Sequence, residues 1–367
     1  MWMRRAGRLA SGLLLLTISA CGRTPSPVAP ADAPRTTVRE QPAQPQDEPS
    51  EPATPEKVKA SEPAAPQPSQ TSTLAAPQPV MAEHLPNPWR IHPQVISGGL
   101  PAGDAAFEEL AELGIRTIIS VDGAPPDVDR ARRYGLRYVH LPHGYDGVPE
   151  RRAQELAKAV RDLPGPIYIH CHHGKHRSPA AATVACVGAG LMSSDQALGV
   201  LKAAGTGENY RGLYQSALTA RRFDDALLDA LPADFPESVR VPPIADAMIA
   251  IEHTNDRLKK LAARQWRTEA EQPDVTAAHE ALLLREHYTE LLRTADVARQ
   301  PAEFRTLLFA SEERAEKLAT LLTAWSKAGE SQPPPAEIGQ AWSAVSQDCS
   351  SCHRQYRDVP LSEKPAR

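Results

Sequence analysis

Residues 167–182 read Ile167-Tyr168-Ile169-His170-Cys171-His172-His173-Gly174-Lys175-His176-Arg177-Ser178-Pro179-Ala180-Ala181-Ala182. Four strand-forming residues pass through a short polar turn into an alanine-rich run opened by proline. Gly174 supplies the backbone freedom that the bend requires. Pro179 suits the first turn of a helix, where a missing N–H costs nothing. A turn of this kind points successive backbone N–H groups inward as an anion-binding nest, seated on a helix N-terminus. Cys171 lies at its mouth, where the positive helix end and Arg177 favour the ionised sulfur. The Arg177 guanidinium is a planar fork that matches two oxygens of one anion.

The same texture extends outward. Strand-like runs at 95–97, 115–121, 136–141 and 167–170 alternate with amphipathic runs at 104–113, 128–134 and 150–163, with Gly114 and Gly135 as stops. This alternation predicts an α/β domain with a mostly parallel sheet covered by helices. Ligands of such sheets bind at the carboxyl ends of the strands, which is where Cys171 falls.

The order His-Cys-x-x-Gly-x-x-Arg-Ser at 170–178 resembles the signature of the protein tyrosine and dual-specificity phosphatases. The likeness extends over about residues 87–231 and takes in Ser97-Gly98-Gly99-Leu100-Pro101. It implies a cysteine-dependent phosphatase acting on phosphate monoesters through a cysteinyl-phosphate. By this resemblance Cys171 is the nucleophile, Arg177 holds phosphate oxygens, Ser178 assists departure of the thiolate and His170 orients the sulfur. The loop residues His172, His173, Gly174, Lys175, His176 and Arg177 would surround the phosphate. A general acid is also implied. Asp146, in His143-Gly144-Tyr145-Asp146-Gly147, is the first choice, and Asp122, after the preceding strand, is the alternative. Cys186 reads as a core residue, or as a disulfide partner for Cys171.

Beyond a proline-marked joint at 232–241, the periodicity becomes helical throughout. Ile244, Met248, Ile251, Leu258 and Leu261 mark one stripe. Leu284, Tyr288, Leu291 and Ala295 mark a second, within 276–297. Phe304, Leu308, Ser311, Ala315, Leu318, Leu322 and Trp325 mark a third. Ile338, Trp342, Val345, Cys349, Cys352 and Tyr356 mark a fourth. These stripes predict an all-α antiparallel four-helix bundle. Cys349-Ser350-Ser351-Cys352-His353 is the c-type haem attachment pattern, with both thiols on the inward stripe. A redox dithiol is the rival reading, which the adjacent His353 disfavours. With Tyr356-Arg357 following, residues 242–359 resemble cytochrome c prime and its low-spin relatives. That likeness implies one covalently bound haem c with His353 as axial iron ligand and Arg357 beside it. Met248 or His253 would stand on the distal side, and His279 and His287 are expected at the surface. It also implies a redox partner and a homodimer through the bundle.

The N-terminus reads as an export signal at 1–20, with Arg4, Arg5 and Arg8 before a short run of leucines. Ile18-Ser19-Ala20-Cys21 resembles a bacterial lipobox, which makes Cys21 a lipidation site and implies anchoring in the cell envelope, at the outer membrane facing the periplasm. Sixteen of the 36 prolines lie between Thr24 and Trp89, so 21–86 is expected to be a disordered tether. Residues 360–367 form a tail. A formal charge of −4 excludes a nucleic-acid binder working through bulk positive charge. The function that follows is a lipid-anchored phosphatase fused to a cytochrome. The alternative is an electron-transfer or gas-binding cytochrome carrying a non-catalytic anion-binding module.

Overall fold

The computed structural model describes residues 76–269, 272–329 and 332–364, all within one compact unit, Pro68–Arg367. The export signal, Cys21 and most of the tether lie outside the described residues. Among the described residues no helix is long and apolar enough to cross a membrane.

Six strands form one sheet: β1 (Gln78–Pro79), β2 (Trp89–His92), β3 (Val95–Gly98), β4 (Thr117–Ser120), β5 (Arg137–His140) and β6 (Ile167–His170). Their spatial order is β1-β2-β3-β6-β4-β5, with β3, β6, β4 and β5 parallel and β1 and β2 antiparallel at one edge. The sheet is therefore mostly parallel, as the alternation predicts. The helices that intervene are α1 (Gly103–Glu112), α2 (Val128–Arg133) and α3 (Glu150–Asp162), followed by α4 (Arg177–Gly188), α5 (Ala197–Ala203), α6 (Arg211–Leu218) and α7 (Asp225–Ala230).

Strand parity divides the core in two. Ile96, Ile118, Tyr138 and Tyr168 meet Phe107 and Leu110 of α1, whereas Val95, Ile119, Val139, Ile167 and Ile169 meet α3 and α4. Successive strand residues point to opposite faces, so a sheet covered on both sides reads as a continuous apolar run. Each fully buried side chain of this size contributes ~1.5–3 kcal/mol relative to exposure. Register then fixes the site. Gly98 pairs with His170, His170 with Ser120, and Ser120 with His140, so the four parallel strands end in line.

Residues 78–86, which composition places in the tether, carry β1 and Leu85. Leu85 is buried against Ile96 and Phe107. Pro79 is tolerated because β1 is an edge strand and needs no ladder N–H there. The proline count thus hides a short ordered segment.

The second half contains α8 (Pro243–Ala263), α9 (Ala277–Leu292), α10 (Ala295–Ala298), α11 (Ala302–Lys327) and α12 (Ala336–Cys352). Thr276 caps α9, its hydroxyl accepting from the His279 N–H. Leu258, Leu284, Tyr288, Leu308, Ala315, Leu318, Leu322, Ile338 and Val345 share one core, the residues that the stripes nominate. After α12 a wider helical turn, His353–Arg357, leads to residues 358–364, which run back to the α/β half.

Candidate functional site

Cys171 follows β6 directly and is 3% exposed, with its Sγ 3.3 Å from Ser178 Oγ. The Ser178 hydroxyl also donates to the Gly98 carbonyl at 2.9 Å, tying the loop to the end of β3. The loop backbone is held from outside. Leu100 N–H donates to His172 O at 3.1 Å, Asn87 Nδ2 to Gly174 O at 3.0 Å, and Thr206 Oγ1 to Lys175 O at 2.6 Å. In a trans peptide the next N–H points opposite to the carbonyl. The N–H groups of His173, Lys175 and His176 are therefore turned to the inner side, and none has a protein acceptor among the described residues. Gly174 has φ +73°, and a Cβ there would lie 2.5 Å from Gly99 N, so only glycine fits. The N-terminus of α4 carries no side-chain cap, which leaves its first N–H groups for a ligand.

Arg177 is 8% exposed. Its Nη2 donates to Asp122 Oδ2 at 3.2 Å, its guanidinium carbon stands 4.4 Å from the Tyr145 ring centroid, and its Nε is buried without a partner. Burial opposes ionisation of Asp122, but the Arg177 charge and the Ala124 N–H outweigh it and hold the carboxyl below the usual carboxylate range. Asp122 Oδ1 also accepts from the Gly123 N–H at 2.6 Å. His140 orients this residue from below. Its Nδ1 accepts from the Val239 N–H at 3.1 Å, so its Nε2 carries the proton and donates to the Asp122 carbonyl at 2.8 Å. His170 is fully enclosed. Its Nε2 lies 2.6 Å from Tyr138 Oη, and burial pushes its imidazole down to about 4.

The remaining predicted residues separate into groups. Asp146 sits beside Tyr145, but its Oδ2 accepts from Lys364 Nζ at 2.7 Å and its carbonyl accepts from the Leu361 N–H at 2.9 Å. Gly212 of α6 packs directly against the Asp146 backbone, leaving no room for a Cβ. Lys175 is exposed. His176 has its ring 4.3 Å from that of Tyr210, and burial, with the His173 and Arg177 charges, pushes it down to about 4. His172 turns out of the loop to Asp256 of α8, Nε2 to Oδ2 3.1 Å. Cys186 is enclosed on α4, and burial pushes its thiol up to about 12. It is a free cysteine, as is Cys171.

The structure brings together Cys171, Arg177, Ser178, His170 and Asp122. Spacing missed Tyr138, His140, Tyr145 and Lys364 as members of this neighbourhood, although Tyr145 stands in the quoted string and the buried end of β5 marks His140.

On the helical side, Cys349 and Cys352 are half-buried near the end of α12. Cys349 Sγ lies 3.6 Å from Tyr288 Oη, and Cys352, Met248 and Tyr356 pack against the helical core. Burial, together with the Arg357 charge, pushes the His353 imidazole down to about 3, leaving a neutral nitrogen donor. Arg357 places its guanidinium carbon 4.1 Å from the Tyr145 ring centroid and pairs with Asp358 at 2.7 Å. His253 is exposed, its ring 5.8 Å from that of His172. His279 is exposed and His287 half-buried.

No family model and no curated protein matches the chain. Among solved structures it is similar to P. aeruginosa TpbA, with 20% identity over 43% of this chain and 94% of that one, at a TM-score of 0.35. A Cys-to-Ser form of the same protein in complex with pTyr is similar at 20% identity, over 43% of this chain and 93% of that one, with a TM-score of 0.35. The proposed phosphatase (DUF442) of Shewanella putrefaciens CN-32 is similar at 18% identity over 37% of this chain and 88% of that one, with a TM-score of 0.32.

Proposed function

We propose that the α/β half is a cysteine-dependent phosphatase acting on phosphate monoesters. The observation that carries this reading is the buried, unpartnered Nε of Arg177 beside inward-turned amides and an uncapped helix N-terminus. A buried donor without an acceptor costs ~1–3 kcal/mol, and a bound oxyanion recovers it. In the first step the Cys171 sulfur attacks phosphorus, forming an S–P bond as the ester P–O bond breaks. The departing oxygen takes a proton from the Asp146 carboxyl. In the second step water attacks phosphorus and gives a proton to the Asp146 carboxylate while the S–P bond breaks and inorganic phosphate leaves. The Ser178 hydroxyl, 3.3 Å from the sulfur, can turn its proton from Gly98 O to the departing thiolate. Asp122 acts through Arg177 as a positioning residue, since both of its oxygens are engaged.

The helical half fits a cytochrome c prime-like bundle with one covalent haem c. Two half-buried thiols three residues apart and a neutral imidazole next to them form a donor set suited to it. Cys349 and Cys352 would hold the group covalently, His353 would ligate it, and Met248 is the distal candidate. When bound, haem supplies a redox-active, gas-binding iron. The chain's own residues offer a link between the halves. Residues 358–364 continue from the CxxCH turn, and Lys364 and Leu361 grip Asp146. We place the protein in the cell envelope on a lipid at Cys21, by its N-terminal sequence.

Hydrolysis of an aryl phosphate by the purified chain and by Cys171→Ser tests the first reading. Activity abolished by the substitution supports it. No hydrolysis by either, with a c-type haem spectrum retained, leaves the electron-carrier alternative. Loss of that spectrum in Cys349→Ser/Cys352→Ser tests the haem.

A further inference from the structure

We propose a divalent transition-metal site between the anion loop and α8, built from His172, His173, Asp256 and Glu252. One ligand atom each of His172, His173 and Asp256 lies within 4.8 Å of the others. His172 Nε2 is 3.1 Å from Asp256 Oδ2, and His173 Nε2 is 4.0 Å from Glu252 Oε1. The two imidazoles belong to consecutive residues and meet edge to face, with centroids 4.4 Å apart. The two carboxylates stand one turn apart on α8, at i and i+4, and so share a face. Three of the four donors already lie together, and Glu252 stands on the His173 side of the cluster, its Oε1 also 3.5 Å from Lys259 Nζ.

The donor chemistry selects the ion. Two imidazole nitrogens and two carboxylate oxygens suit Zn²⁺ and its first-row neighbours, whereas Ca²⁺ and Mg²⁺ prefer all-oxygen shells. Ligands about 2.1 Å from a tetrahedral ion lie roughly 3.4 Å from one another. Side-chain rotations that bring His173 and then Glu252 in toward His172 and Asp256 complete the shell. Lys259 supplies outer support: its Nζ donates to Asp256 Oδ1 at 2.9 Å and leaves Oδ2 facing His172. The ion would clamp the loop that carries Cys171 onto the helix that begins the haem-motif half. The inference does not depend on phosphatase activity, because none of its four ligands performs a step in that chemistry.

The test is calorimetric titration of the full mature chain, haem attached, with ZnCl₂, alongside His172→Gln/His173→Gln, Asp256→Asn and Cys171→Ser. Circular dichroism confirms that each variant is folded. One Zn²⁺ per wild-type chain is expected. The affinity should fall at least about tenfold in Asp256→Asn and further in the double histidine variant, while Cys171→Ser retains it. Wild-type stoichiometry and affinity in the double variant overturn the proposal. So does binding that survives Asp256→Asn but disappears with Cys171→Ser, which would put the ion on the thiol.

Discussion

Asp146→Asn and Asp122→Asn, assayed on aryl phosphates of graded leaving-group basicity, separate proton donation from positioning. Asp122 has Oδ2 on Arg177 at 3.2 Å and Oδ1 on the Gly123 N–H at 2.6 Å, and its carboxyl is held below the usual range. Its buried pairing with Arg177 holds it as the carboxylate, with both oxygens already engaged. It is therefore poorly placed to deliver a proton. In Asp122→Asn an amide NH₂ must face either Arg177 Nη2 or the Gly123 N–H, donor against donor. Breaking a buried pair of this kind costs ~3–5 kcal/mol of stability, readable by urea unfolding. Displacing the guanidinium by about an ångström lowers kcat/KM by on the order of 10²-fold. That loss should be the same for every leaving group, because it concerns the phosphoryl oxygens. Asp146→Asn should instead lose on the order of 10²–10⁴-fold on phenyl phosphate and little on dinitrophenyl phosphate, whose leaving group needs no proton. A flat loss for Asp146→Asn with a steep one for Asp122→Asn would refute the assignment and make Asp122 the acid.

Other outcomes follow from individual contacts. Gly174→Ala puts a Cβ 2.5 Å from Gly99 N at φ +73°, so vanadate binding should be lost and the unfolding midpoint lowered by an equivalent of ~2–5 kcal/mol. His143 is buried and burial pushes its imidazole down to about 4, so the unfolded chain binds a proton that the folded chain refuses between pH 6.5 and 4. Stability should fall across that window by ~3 kcal/mol, and urea titrations of His143→Asn should lack this part of the slope. Lys364→Ala releases Asp146 from a rim ion pair worth ~0.2–1 kcal/mol, so kcat should rise by up to about fivefold, and an unchanged kcat removes the tail as a restraint. Under native conditions iodoacetamide should label Cys171 and spare Cys186, whose thiol is pushed up to about 12, as peptide mapping will show.

The α/β half was legible because its signals are local. β-branched runs fix the strands, Gly114 and Gly135 close the turns, and one glycine, one arginine and one serine at set distances from Cys171 fix the loop. The helical stripes were legible for the same reason, since a 3.6-residue period survives without knowledge of the partner. What spacing could not reveal depends on contacts between distant segments. Asp122 and Arg177 are 55 residues apart, His172 and Asp256 are 84 apart, and Asp146 and Lys364 are 218 apart. No periodicity encodes such pairs. The histidines of the loop region illustrate the limit: by resemblance His172, His173 and His176 all surround the phosphate, while His170 orients the sulfur. In the fold, burial neutralises His170 and His143, Tyr210 covers His176, and α8 takes His172.

These long-range pairs also bear on how two motifs on one chain could communicate. Arg357, four residues beyond His353, stacks on the Tyr145 ring, which Arg177 also approaches. Asp358 accepts from Asn209 at 3.3 Å, Arg211 pairs with Glu363, and Lys364 reaches Asp146. A displacement of the CxxCH turn would thus act on the aromatic ring over Arg177 and on the carboxyl of Asp146 together, without crossing the hydrophobic cores. Such coupling is bounded by the contacts that differ between two states. Two rim ion pairs and one cation–π contact amount to ~1–3 kcal/mol, which is a five- to 150-fold change at most. Coupling of that size through the tail would tune a rate. It is too weak to switch one off completely, and measured regulation beyond that range would require the cores themselves to repack.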